Sequence, residues 1–215
     1  MFIARTAAVL GLLTVLASPA HAATIYTDQT SFLADVEAGH YLETFNSLAQ
    51  DTLLSSPINF SGNGFAYTTS LGPFNGGFFN EGPAGDTWLS TNNSGDSILF
   101  TFTSGNVTAV GGNFFATDIT GTPSGSSVVL TLNDGTTHTL LTSSATSFVG
   151  FTSLLPILSM SFDAPDVASV QWSTANNLIV GQTAQAQAPE PATLAMLGLG
   201  ALFVVRRRAA TRQAL

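Results

Sequence analysis

The sequence predicts an all-β protein, with two sheets packed face to face as a β-sandwich, wound as a jelly roll, and one short helix near its start. Three observations predict it. Short apolar runs recur between clusters of Gly, Asn, Asp and Ser. Several of these runs alternate apolar with polar residues, the period of a half-buried strand. No helical segments alternate with the strands, so the chain does not spell the βαβ crossovers of a parallel sheet.

The first segment stands outside that body. In Met1–Ala22, Arg5 gives a positive start, Thr6–Ala17 is apolar, and Ala20-His21-Ala22 is a small-x-small site. This order is that of a secretory signal peptide cleaved after Ala22, with Ala20 and Ala22 as the small residues read at the cut. The sandwich then occupies residues 23–181, a linker residues 182–188, and a tail residues 189–215.

Within the body, Gln29–Ala38 predicts the one helix. Asp28 or Thr30 can cap it, Phe32, Leu33 and Val36 form its apolar face, and Gly39 stops it. About ten strands are expected: Gly64–Thr69, Thr87–Ser90, Ser97–Thr103, Val107–Phe115, Val128–Leu132, Thr136–Leu141, Ser147–Thr152, Leu158–Asp163, Ser169–Ser173 and Leu178–Val180. In Ser97–Thr103, Ile98, Phe100 and Phe102 alternate with Leu99, Thr101 and Thr103. "VVLTL-NDG-TTHTLL" reads as a hairpin with Asp134-Gly135 at positions that need positive φ. Leu71–Gly85 reads as a long irregular loop, and Trp172 as a core residue.

The tail has its own logic. Ala192–Val205 carries no charge. As a transmembrane helix it would cover roughly 21 Å, against a hydrocarbon core of about 30 Å. Arg206, Arg207 and Arg208 follow at once and hold that end in the cytoplasm by the positive-inside rule. Pro189-Glu190-Pro191 precedes the run, and its prolines keep the triplet extended.

Pro189-Glu190-Pro191, an apolar helix and an arginine cluster together resemble the PEP-CTERM sorting signal of Gram-negative bacteria. The resemblance implies that an exosortase-type membrane peptidase reads the triplet and processes the tail. It also implies an association with exopolysaccharide and biofilm. The body, through "YTDQTSFLADV", "GDSILFTFTSGNVTAVGGNFFATD" and "SFVGFTS", resembles that of a recurrent group of such proteins, for which a jelly roll related to carbohydrate-binding modules is expected.

Charge narrows the function classes. All five Lys and Arg residues lie in the signal peptide or the tail, and of the 13 carboxylates only Glu190 lies outside the body. The body therefore has nothing to neutralise phosphates, and nucleic acid is excluded as a partner. Each body carboxylate has to be solvated, cap a backbone N–H, or meet a metal cation. There is no cysteine, so no disulfide or thiolate chemistry.

No nucleophile elbow, zinc-binding or phosphate-loop motif is present. His40 reads as a loop residue and His138 as a solvated strand residue. Asp86 and Asp96 are the best available carboxylate pair for glycoside hydrolysis, but turn roles suit them better. No catalytic residue is assigned, and no enzymatic activity is expected. Spare oxygen ligands make a structural Ca²⁺ the one cofactor to consider. By resemblance to jelly-roll binding modules, where calcium joins the first and last strands, its ligands would be Glu43, Asn46 and Asn177. Phe74, Phe78, Phe79 and Trp88 form the candidate ligand platform, because aromatic faces among Gly and Asn suit a sugar. The expected function is an exported, non-enzymatic surface or extracellular-matrix protein. A carbohydrate-binding adhesin or lectin is the alternative, and a secreted hydrolase the third.

Overall fold

The computed structural model describes residues 22–165 and 170–184. Ala20, the Pro189-Glu190-Pro191 triplet, the apolar run Ala192–Val205 and Arg206–Arg208 lie outside the described residues. Among the described residues no helix is long and apolar enough to cross a membrane.

The described chain forms fourteen strands and one helix: β1 Thr24–Tyr26, α1 Gln29–Ala34, β2 Tyr41–Glu43, β3 Thr52–Leu54, β4 Ile58–Gly62, β5 Phe65–Gly72, β6 Phe78–Glu81, β7 Trp88–Thr91, β8 Ser97–Phe102, β9 Ala109–Thr117, β10 Val128–Leu132, β11 Thr137–Leu140, β12 Phe148–Thr152, β13 Ser159–Asp163 and β14 Trp172–Gly181. They make two antiparallel sheets. The larger has the order β1-β12-β9-β14-β7-β6-β3, with β2 also paired to β14, and the smaller β11-β10-β13-β8-β5-β4. From β7 onward the chain passes between the sheets at nearly every step, the interleaving expected of a jelly roll.

The core lies between the sheets. Phe114 of β9 meets Phe100 of β8 at 6.4 Å, edge to face, and Phe162 of β13 at 5.2 Å. Such pairs contribute about 0.5–1.5 kcal/mol each beyond area burial. The alternation predicted for β8 is realised: Ile98 and Phe100 are fully buried, while Leu99 is exposed.

Where the structure departs from the sequence reading, the causes are local. The helix stops at Ala34 rather than Ala38. Asp28 caps it, its Oδ1 accepting the Ser31 N–H at 2.8 Å. After the helix the chain is drawn into pairing with the end of the body: Val36 bridges Thr183, and the Glu37 N–H donates to the Gln182 carbonyl at 2.8 Å. Residues 182–184 are thus tied to the body, past the expected boundary at 181. In the hairpin the loop is Asn133-Asp134-Gly135, and of these only Gly135 takes positive φ, at 88°. The stretch Leu71–Gly85 is not one loop, because it holds β6.

The two short strands expected near the end of the body are one, β14, interrupted by a bulge. Its register with β9 runs from Trp172↔Thr117 to Asn176↔Asn113, then resumes at Ile179↔Gly111. Asn177 sits in the bulge at φ 51°, a conformation that asparagine tolerates better than most residues. The extra residue reverses the strand's facing. Trp172 and Thr174 face away from the smaller sheet. Beyond the bulge Leu178 and Val180 point into the core, and Ile179 points outward. One edge of β14 then serves two partners, β7 at Thr174–Ala175 and β2 at Leu178–Val180.

Candidate functional site

The outer face of the larger sheet is divided in two. One half is covered by α1. Phe32 lies on Gly111 and Gly150 of the facing strands: a Cβ on Gly150 would stand 2.5 Å from the Phe32 ring. Phe32 packs there with Val36, Ala109, Phe148 and Ile179. Among the described residues no helix covers the other half.

That second half is built from neighbouring strands in register. Glu81 of β6 pairs with Trp88 of β7, Phe79 with Ser90, Ser90 with Thr174 of β14, and Trp172 with Thr117 of β9. Period-two alternation therefore places Phe79, Glu81, Trp88, Ser90, Trp172, Thr174 and Thr117 on one face. Three hydroxyls form a chain beneath it: Ser90 Oγ to Thr174 Oγ1 at 2.9 Å, and Thr174 Oγ1 to Thr117 Oγ1 at 2.9 Å. Thr117 Oγ1 donates in turn to Glu81 Oε1 at 3.3 Å.

Glu81 is half-buried. Burial raises its pKa above the usual glutamate value, and the nearby Asp118 charge adds to this. The Ser90, Thr117 and Trp88 side chains, which face the carboxylate, pull the other way. The Trp88 indole N–H is buried without a well-formed hydrogen bond. The loop Asp118–Pro123 walls the face. Asp118 Oδ1 accepts the Thr120 hydroxyl at 2.6 Å and the N–H groups of Thr120 at 2.8 Å and Thr122 at 3.1 Å, which together lower the Asp118 pKa. Two clefts of about 250 and 410 Å³ open here and share Phe79, Glu81 and Ile119 as walls.

The predicted aromatic platform is split. Phe78 is fully buried in the core, whereas Phe79, the next residue, faces the outer cleft. Phe74 is 66 % exposed and lies against Gly95, away from that cleft. Trp88 is only 7 % exposed, edge-on to Phe115 at 5.2 Å, with Gly82 against its ring. Trp172, expected in the core, is instead half-buried on the cleft wall. Its outward facing follows from its pairing with Thr117, which no local pattern reveals. Glu81 is the residue sequence reasoning missed. Its period-two spacing from Phe79 was the one local signal, and its place beside Trp88 follows only from the pairing of β6 with β7.

The Asp86 and Asp96 pair does not form an acid–base site. Asp96 has no solvent exposure, and its carboxylate accepts three backbone N–H groups. Asp86 is exposed and accepts the Asn176 amide at 3.0 Å. His138 is half-buried, its Nε2 without a partner.

The calcium candidates do meet at paired strands, since Glu43 stands opposite Leu178, beside Asn177. The oxygens of Glu43 and Asn46 are already engaged. Glu43 Oε1 accepts the Phe45 N–H at 2.7 Å and Oε2 accepts the Tyr41 hydroxyl. Asn46 Oδ1 accepts from Thr87 N at 2.7 Å and Thr87 Oγ1 at 3.1 Å. Asn177 turns its amide to Asn113. A calcium ion held here would compete with these hydrogen bonds at Glu43 and Asn46. Among the described residues no three acidic or histidine side chains gather as a metal site. Burial, and then Glu43, hold the Tyr41 hydroxyl protonated far above its usual range.

Residues 187–209 match the family model described as the PEP-CTERM protein-sorting motif. The match spans the Pro189-Glu190-Pro191 triplet, the apolar run and Arg206–Arg208. No curated protein and no solved structure matches the chain.

Proposed function

We infer that this chain, a PEP-CTERM domain-containing protein by its residues 187–209, is exported and sorted by an exosortase-type membrane protein. The sorting motif is the observation that carries the reading. Beyond sorting, we propose a non-enzymatic role at the cell surface or in an exopolysaccharide-bearing matrix. The engagement of Asp96 by backbone amides supports the absence of the one carboxylate pair considered for hydrolysis. The alternative, a saccharide-binding adhesin, is favoured by one observation, the aromatic cleft beside Glu81.

Intact-mass measurement on protein from the native host tests the sorting reading. The expected mature species lacks the signal peptide and the segment after Pro189-Glu190-Pro191, and Glu190→Ala leaves the precursor in the inner membrane. A mature species retaining Arg206–Arg208 and Leu215 would overturn it.

A further inference from the structure

We propose that the Phe79–Glu81–Trp172 face of the larger sheet binds a neutral saccharide chain. The proposal rests on the surface reading above only for where the polysaccharide is met.

The two clefts are contiguous through Phe79, Glu81 and Ile119. A run of adjacent subsites suits an oligomeric ligand better than a single small molecule. Phe79 and Trp172 are half-buried, fixed at their base by strand pairing, with ring surface left open. Such rings offer apolar faces at low ordering cost, which suits the C–H face of a pyranose. Ile119, 82 % exposed, extends this apolar surface at the lip.

Polar groups complete the site. The Trp88 ring lines the cleft wall, and its buried indole N–H is turned toward the Glu81 carboxylate. Glu81 faces the same clefts, and its Oε1 is held by Thr117. Behind it the Thr117–Thr174–Ser90 hydroxyl chain fixes its orientation. The wall loop is prefolded by Asp118 and by the bridge between Thr117 and Pro123, so little order remains to be gained on binding.

Charge selects the class of saccharide. Lys and Arg are absent from residues 22–188, and Glu81, Asp118 and Asp51 line these clefts. A uronate or sulfate would meet carboxylates and no cation. A neutral chain meets acceptors for its hydroxyls and aromatic faces.

The test uses the full-length chain in mild detergent on an array of neutral and acidic glycans. Hits are titrated by tryptophan fluorescence. Neutral oligosaccharides are expected to bind with little salt dependence. Trp172→Ala and, separately, Phe79→Ala should each weaken binding by about tenfold or more, Glu81→Gln should weaken it too, and Phe74→Ala should not. Melting curves confirm that each variant is folded. Failure of every neutral glycan to bind, binding of acidic glycans alone, or undiminished binding by folded Trp172→Ala and Phe79→Ala would each overturn the proposal. None of these outcomes touches the sorting reading, which is decided by the mass of the processed chain.

Discussion

Asp96 Oδ1 accepts the backbone N–H of Phe74 at 2.6 Å, although the two residues belong to different turns of the chain. The same carboxylate takes the N–H groups of Asn75 at 3.1 Å and Gly76 at 2.9 Å. A body without Lys or Arg side chains satisfies a buried carboxyl group with backbone N–H dipoles. Asp96→Ala should therefore cost about 3 kcal/mol or more, and Asp96→Asn about 1–3 kcal/mol because its amide would face the Gly76 N–H. Urea unfolding measures both, and a change within about 0.5 kcal/mol would show that the three bonds contribute nothing net.

The split of the aromatic pair yields a sharp contrast. Phe78→Ala opens a cavity in the core and should cost about 3–5 kcal/mol. Phe74→Ala, at an exposed site, should stay within about 0.5 kcal/mol. Equal effects in thermal unfolding would contradict the opposite placements of these two rings.

Helix docking depends on the missing side chains beneath Phe32. Gly150→Ala puts a Cβ 2.5 Å from the ring and should destabilise by about 1–3 kcal/mol. Hydrogen exchange should show faster opening of Gln29–Ala34 in this variant. Unchanged protection there would mean that the seat can yield without cost.

Glu81 predicts a pH dependence of a definite sign. Its folded pKa is raised above the ordinary value of 4.5. The stability it contributes is fully present below that value and is lost as pH rises through the folded pKa. Glu81→Gln, which cannot ionise, should gain on the wild type as pH rises above the ordinary glutamate range. Paired urea titrations across acidic to neutral pH check it. A variant that loses ground with rising pH would mean the carboxylate is stabilised in its charged form.

Calcium should leave the melting curve of the protein unchanged, because Glu43 and Asn46 are already satisfied by Phe45, Tyr41 and Thr87. A structural site filled to a hundred times its Kd would add about 2.7 kcal/mol. Such a rise over the chelator control would show that calcium displaces these partners.

How far the sequence could be read depended on whether the signal was local. The β10–β11 hairpin and the alternation of β8 were legible because each carries its own turn or period. Asp28 as a cap was legible for the same reason. The strands β1, β2, β3, β4 and β6 were not. Each is short, several adjoin Pro or Gly, and they are held by cross-strand partners distant in sequence. Phe78-Phe79 shows the limit plainly: two identical side chains, one inside and one outside, with only the pairing of β6 to β7 to assign them. The candidate cleft was half legible. Phe79 and Trp88 stood out by type. Trp172 and Glu81 joined them only through register, and Trp172 was misassigned to the core.

The bulge at Asn177 imposes an odd–even rule on this part of the chain. The outward set Trp172 and Thr174 and the inward set Leu178 and Val180 lie on opposite faces because one residue breaks the count between them. Removing Asn177 alone would turn the bulge into unbroken strand and keep both facings, with Trp172 and Thr174 toward the cleft and Leu178 and Val180 toward the core, because the residue lost is the one that breaks the count. Removing two residues from the same stretch would leave the count shifted by one, so that either the cleft or the core must receive the wrong side chains. Length variation at this position is thus expected as loss of the single bulge residue, and a two-residue deletion should be far more damaging than the smaller one.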